Sequence, residues 1–135
     1  MAKETGLGWT AFSVDDSGGT VRDCRNSVTS LKFATPRGVQ DVTGLDKNAN
    51  ERLLLLADFS VDVDGVFDDG TTGIFTIFKT VSSTSVARTV TITVSANTLA
   101  CETLFTDMQV ERSDSGELTI KAPGVLADGT VPTWT

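Results

Sequence analysis

Apolar and polar residues alternate with a period of two through most of this chain, the signature of half-buried β-strands. In "TVTITVS" (89–95), Val90, Ile92 and Val94 fall on one side of an extended backbone, with Thr89, Thr91, Thr93 and Ser95 on the other. "WTAFSV" (9–14) sets Phe12 and Val14 on one face and runs into the turn cluster "DDSGG". "VTSLKFAT" (28–35) opposes Leu31 and Phe33 to Ser30 and Lys32, and Pro36 stops it because proline donates nothing to a ladder. "LFTDMQVER" (104–112) groups Leu104, Met108 and Val110 against Asp107, Gln109 and Glu111. After "SDSG", "ELTIKA" (117–122) pairs Leu118 with Ile120, so the two runs predict a hairpin.

The segment "ERLLLLADFSVDVDG" (51–65) predicts one long strand. Leu53, Leu55, Ala57, Phe59, Val61 and Val63 form an apolar stripe, and Leu54 and Leu56 extend apolar character to the opposite side. Such a strand exceeds the usual five or six residues and wants a partner on each face, one the core and the other a neighbouring subunit. Residues 37–51 lack a clear period and predict a long, ordered loop, a class of loop that tends to be functional. A single helix is predicted within 71–81, where Ile74, Phe75, Phe78 and Val81 share a helical face. Residues 123–135, punctuated by Pro123, Gly124, Gly129 and Pro132, predict an extended C-terminal arm.

A chain of 135 residues predicts one domain with room for a core. Its charge of -7, from 18 acids against 11 bases, disfavours partners bound through phosphates, whether nucleic acid or anionic membrane. The start carries no signal-peptide pattern and the longest apolar run is far too short for a span, so a soluble protein made in a cytosol is expected. Cys24 and Cys101 are too few for a disulfide framework; one bridge or two buried thiols would fit, and an intracellular setting favours thiols.

Candidate chemistry is sparse. The chain contains no histidine, which removes the commonest general base and metal ligand. The carboxylate pairs Asp15–Asp16, Asp62–Asp64 and Asp68–Asp69 sit in turns or alternate on a strand face, where solvated Asp is ordinary. "DVDGVFDDG" fails the calcium-loop template because Val66 and Phe67 occupy the fifth and sixth positions, and "DKNANE" fails because Glu51 stands where the glycine belongs. No catalytic, cofactor-binding or metal-binding residue is assigned. Trp9 and Trp134, near the two ends, read as anchors that pin arms to a sheet.

Four blocks, "PRGVQDVTGLDKNANERLLLLADFSV", "FKTVSSTSVARTVTITV", "LFTDMQVERSDSGELT" and "PGVLADGTVPTW", together with the opening twenty residues, resemble the major tail tube proteins of long-tailed bacteriophages, most closely the group from actinobacterial phages. The resemblance implies a mainly β fold, an antiparallel β-sandwich or barrel with one short flanking helix, a long loop and extended terminal arms. It implies copies of one subunit closing into hexameric rings that stack into a tube, with tape-measure and tail-tip or terminator proteins as further partners. Viral DNA would pass through without specific binding, no membrane would be involved, and assembly would take place in the host cytoplasm.

Carried onto this chain, the resemblance makes loop 37–51 the ring-to-ring contact, through Arg37, Gln40, Asp41, Asp46, Lys47 and Glu51. Arms 1–9 and 123–135 would reach neighbours, with Trp9, Leu54, Leu56 and Trp134 between subunits. "DDGTTGIFTI" departs from the polar helical segment of the family and implies a shorter or shifted helix. The face of Thr89, Thr91 and Thr93 is expected to meet water, on the lumen or on the outer surface. A non-catalytic binding module of carbohydrate or adhesin type, or another virion ring or decoration protein, would share the fold class and the lack of chemistry.

Overall fold

The structure, a computed structural model, describes residues 3–135. Ten strands carry the fold: β1 (Trp9–Asp15), β2 (Val21–Asp23), β3 (Val28–Ala34), β4 (Arg37–Asp41), β5 (Arg52–Ala57), β6 (Ser60–Val66), β7 (Arg88–Val94), β8 (Asn97–Phe105), β9 (Gln109–Arg112) and β10 (Leu118–Leu126), with one helix, α1 (Ile74–Phe78), between β6 and β7. Eight strands form one antiparallel sheet in the order β2-β1-β7-β8-β10-β6-β3, with β9 also on β10; β4 and β5 pair separately as a hairpin. The sheet curls on itself until Trp9 of β1 and Phe33 of β3 meet edge to face, ring centroids 5.7 Å apart. It is a β-sandwich rolled toward a barrel, one layer β2-β1-β7-β8 and the other β9-β10-β6-β3.

Alternation decides which residues fill it. Phe12 and Val14, Val61 and Val63, Val90 and Ile92, Leu99 and Ile120 all point inward and are fully buried. Ile74, Ile77 and Phe78 of α1 close one end of this core.

The structure departs from the sequence-based expectation at six places. The strand expected over 51–65 is two strands in two sheets. Asp58 turns the chain between them, its N–H donating to Pro36 O at 3.1 Å and its carboxylate accepting from Phe59 N at 2.8 Å. The stripe of odd positions continues across that corner, so parity alone does not reveal it. Of the expected 37–51 loop, Arg37–Asp41 is strand β4, because β5 supplies it with a ladder.

The run 104–112 breaks at Thr106–Met108, where the chain leaves β8 for β9. Pro123 sits opposite that break, its carbonyl accepting from Thr106 N at 3.2 Å, so its missing N–H falls where the ladder is interrupted. Residues 123–126 thus belong to β10 rather than to the C-terminal arm, which begins at Ala127. Trp9 opens β1, so the N-terminal arm is shorter than 1–9; Met1 and Ala2 lie outside the described residues. The helix is confined to five residues, after Gly73, whose Cβ would come within 2.3 Å of Asp68 O.

So short a helix has no stability of its own. Arg88, the first residue of β7, holds it. Its side chain is fully buried, and Nη1 donates to Ile77 O (2.8 Å) and Asp15 O (3.1 Å) while Nη2 donates to Thr80 Oγ1 (3.1 Å). Burial draws the guanidinium below its ordinary pKa, opposed by the charges of Asp16 and Asp15. The group meets carbonyls at the end of α1 and at the end of β1, locking both to the sheet.

Arg88→Met is expected to lower the unfolding free energy by roughly 2–4 kcal/mol, since it orphans buried acceptors. Arg88→Lys should recover less than half of that loss, because one ammonium cannot span three acceptors. Urea denaturation measures both. The β7–β8 turn gives an opposite sign: Ser95 and Ala96 adopt φ of 49° and 66°. Ala96→Gly should therefore stabilise by about 0.5–1 kcal/mol, relieving left-handed strain.

Candidate assembly surfaces

The β4–β5 hairpin leaves the sandwich at the end opposite α1 and stands in solvent on both faces. Val39 lies directly across from Leu54, and Gln40 from Leu53. Leu54 and Leu56 are 61% and 91% exposed, while Leu53 and Leu55 on the reverse side are also exposed. Leu54–Ala57 and Val131 of the C-terminal arm line a shallow apolar groove of about 850 Å³. A lone two-stranded ribbon is marginal in water, and a run of four exposed leucines is a surface that favours being covered.

The hairpin nevertheless has internal order. Arg37 Nε donates to Leu55 O at 2.9 Å. Thr43 organises the tip: its hydroxyl bonds Asp41 at 2.6 Å and accepts from Glu51 N at 2.7 Å, while Val42 N reaches Glu51 O. These bonds from Thr43 hold the Asp41 carboxyl below its usual pKa. Asp46 and Lys47 are adjacent and exposed at the tip, 4.0 Å apart, and Gln40 is exposed on β4. The six residues expected to contact another ring thus lie on one projecting element. The organising role of Thr43 was absent from the sequence reading; its signal is the Asp-x-Thr spacing that closes a local turn.

Among the described residues, the two outermost strands of the β9-β10-β6-β3 layer are each paired on one side only. Residues 29–34 of β3 pair with β6 on one side, and β9 pairs with β10 on one side. Between them lies the polar face of β9-β10-β6-β3, where Lys32 stands directly across from Asp62 and Lys121 from Asp64. On the opposite layer, Thr89, Thr91 and Thr93 are half-buried beside Ser13 and Ala100. Thr93 shares a hydrogen bond with Thr98 at 3.1 Å, and Thr89 donates to Glu102.

Trp9 and Trp134, far apart in sequence, meet on Phe33, with centroids 5.7 Å and 5.8 Å from it. They brace the inside of the sandwich corner, and Trp134 remains 45% exposed. Leu54 and Leu56 lie on the hairpin. Cys24 is buried, its thiol pushed up to about 12 mainly by burial, and Cys101 is half-buried and shifted the same way. Both are free. Among the described residues no three His, Cys, Asp or Glu gather as metal ligands, and no helix is long and apolar enough to cross a membrane.

Exposed leucines contribute little to the monomer. Leu54→Ser with Leu56→Ser is expected to shift its unfolding free energy by less than about 0.5 kcal/mol. Phe33→Ala, which removes the ring both tryptophans share, should cost about 3–4 kcal/mol. Denaturation of both variants at micromolar concentration checks the contrast.

No protein-family model matches this chain, and no curated protein does. Solved structures do. A chain in the virion of a native gene transfer agent particle superposes with a TM-score of 0.77 at 15% identity, covering 98% of this chain and 99% of that one. A chain in the tail of an empty gene transfer agent particle, refined helically with C6 symmetry, superposes with a TM-score of 0.73 at 17% identity, covering 98% and 99%. This chain is mainly antiparallel β with one short α-helix, and it shares its fold, end to end, with chains of those gene transfer agent particles.

Proposed function

We propose that this protein is the subunit of a phage-type tail tube, joining side by side into six-membered rings that stack. One observation carries the reading: the β9-β10-β6-β3 layer has a free edge on each side, and the two edges run in opposite directions. A copy placed beside another by rotation about an axis along the strands brings β3 against β9 antiparallel, so the layer continues unbroken. This contact is heterologous, and a heterologous contact closes a ring when its rotation divides the circle.

The residues on the two edges are complementary. A single register sets Lys32 of one copy opposite Glu111 of the next and Phe33 opposite Val110, which is otherwise 48% exposed. Six copies of a four-stranded layer make 24 strands; at about 4.8 Å apart they enclose a backbone circle roughly 37 Å across. The six-fold symmetry of the structurally similar tail supports that number.

In this arrangement the polar face lines the channel. Its lysines lie beside cross-strand carboxylates, so it offers passing DNA no uncompensated row of cations. The threonine face of β1-β7-β8 then turns outward. The hairpin, with Arg37, Gln40, Asp41, Asp46, Lys47 and Glu51, reaches the next ring and buries Leu54 and Leu56. Tape-measure protein inside the tube, tip and terminator proteins at its ends, and assembly in a host cytoplasm complete the proposal. The four sequence blocks support the actinobacterial phage group.

Charge reversal tests it. Lys32→Glu and Glu111→Lys should each abolish hollow filaments or stacked rings in negative-stain micrographs, and the double variant should restore them. Filaments that persist in both single variants, or a wild type that stays monomeric at every concentration, would sink the β3–β9 junction.

A further inference from the structure

The second layer, β2-β1-β7-β8, ends differently from the first. Its β2 edge spans only three residues, Val21–Asp23, too short to template much pairing. Its β8 edge is occupied by the chain itself. Residues 127–135 continue β10 alongside β8, first through Ala127 N to Glu102 O at 2.9 Å. They then loop out and return to pair Thr98 with Thr135 through both backbone bonds, 3.0 and 2.9 Å, with Leu99 bridged to Trp134.

The looped-out stretch is built to stay irregular. Asp128 accepts from Thr130 N at 3.0 Å, Gly129 takes φ of 74°, and Pro132 lacks an N–H. A bulged, proline-bearing strand presents an outer edge on which another strand cannot register. Trp134 supplies the anchor, packing on Phe33 with centroids 5.8 Å apart, while Thr135 Oγ1 adds a bond to Thr98 O at 3.3 Å.

We infer that residues 127–135 are an edge guard: they cap β8 with an irregular segment that cannot template pairing, leaving β3 and β9 as the edges through which copies join. The guard is a property of the monomer and stands apart from whether copies close a ring. Its physical basis is an asymmetry. Both layers have the same antiparallel ladders, so bare edges on both would permit branching association. Capping one layer leaves a single direction of growth.

Trp134→Ala removes the anchor, and circular dichroism with cooperative unfolding reports whether the sandwich survives. In the monomer, hydrogen exchange at the Thr98 amide should rise at least about tenfold, and concentrated samples should scatter light as irregular aggregates. A disulfide from Thr98→Cys with Thr135→Cys, placed on Trp134→Ala in a Cys101→Ser background, should return the aggregation to wild-type level when oxidised. Unchanged Thr98 exchange in Trp134→Ala would overturn the inference, as would faster exchange with no new association. So would an oxidised disulfide in the otherwise wild-type chain that blocks ordered self-association, because the arm would then have to open during assembly.

Discussion

The seam between β1 and β3 is closed by side chains and not by backbone hydrogen bonds, and the rest of the molecule follows from that. Trp9 reaches across to Phe33, Phe33 packs on Phe59, and Trp134 covers the same ring from the C-terminal arm. Aromatic contact buries the corner yet satisfies none of the outward N–H and C=O groups of β3. Had the ladder closed there, the sheet would be a barrel without edges and the monomer would be self-sufficient. Because it does not, the fold keeps an open strand edge beside a well-packed interior.

The two ends of the sandwich are handled by different physics. At one end a buried guanidinium gathers carbonyls from β1 and the helix terminus, and α1 fills the opening with Ile74, Ile77 and Phe78. That end is sealed. At the other the β4–β5 hairpin extends past the core with leucines on both sides, ordered by Thr43 and Arg37 but not buried. One layer faces outward with hydroxyls, the other with alternating lysine and aspartate. A molecule with one sealed end, one projecting end and one layer with two bare edges has no two ends or edges alike.

How much of this was legible in the chain varies by element. The inward positions of β1, β3, β6 and β7 are readable because alternation is a local property of an extended backbone: Phe12, Leu31, Val61 and Ile92 face the core as their parity predicts. The break at Asp58 was not, because the apolar stripe keeps its parity while the strand changes sheets. The helix over 71–81 was readable as an element but not in length, since its limits are set by Gly73 against Asp68 and by the reach of Arg88. Nothing around Arg88 in the sequence marks it as buried; it flanks a strand like any surface arginine, and its partners lie 73 and 11 residues away.

The candidate assembly surfaces divide the same way. Sequence by itself determined the strand faces, the absence of histidine chemistry, the unbalanced acidity and the doubly apolar Leu53–Leu56 run that a monomer core cannot absorb. These depend on residue identity and on the period of the backbone. Only the tertiary structure decided which edges are bare, that Trp9 and Trp134 share one ring, and that the arm caps β8. Those depend on which strands become neighbours, and a hydrogen-bond partner on an adjacent strand leaves no trace in local periodicity.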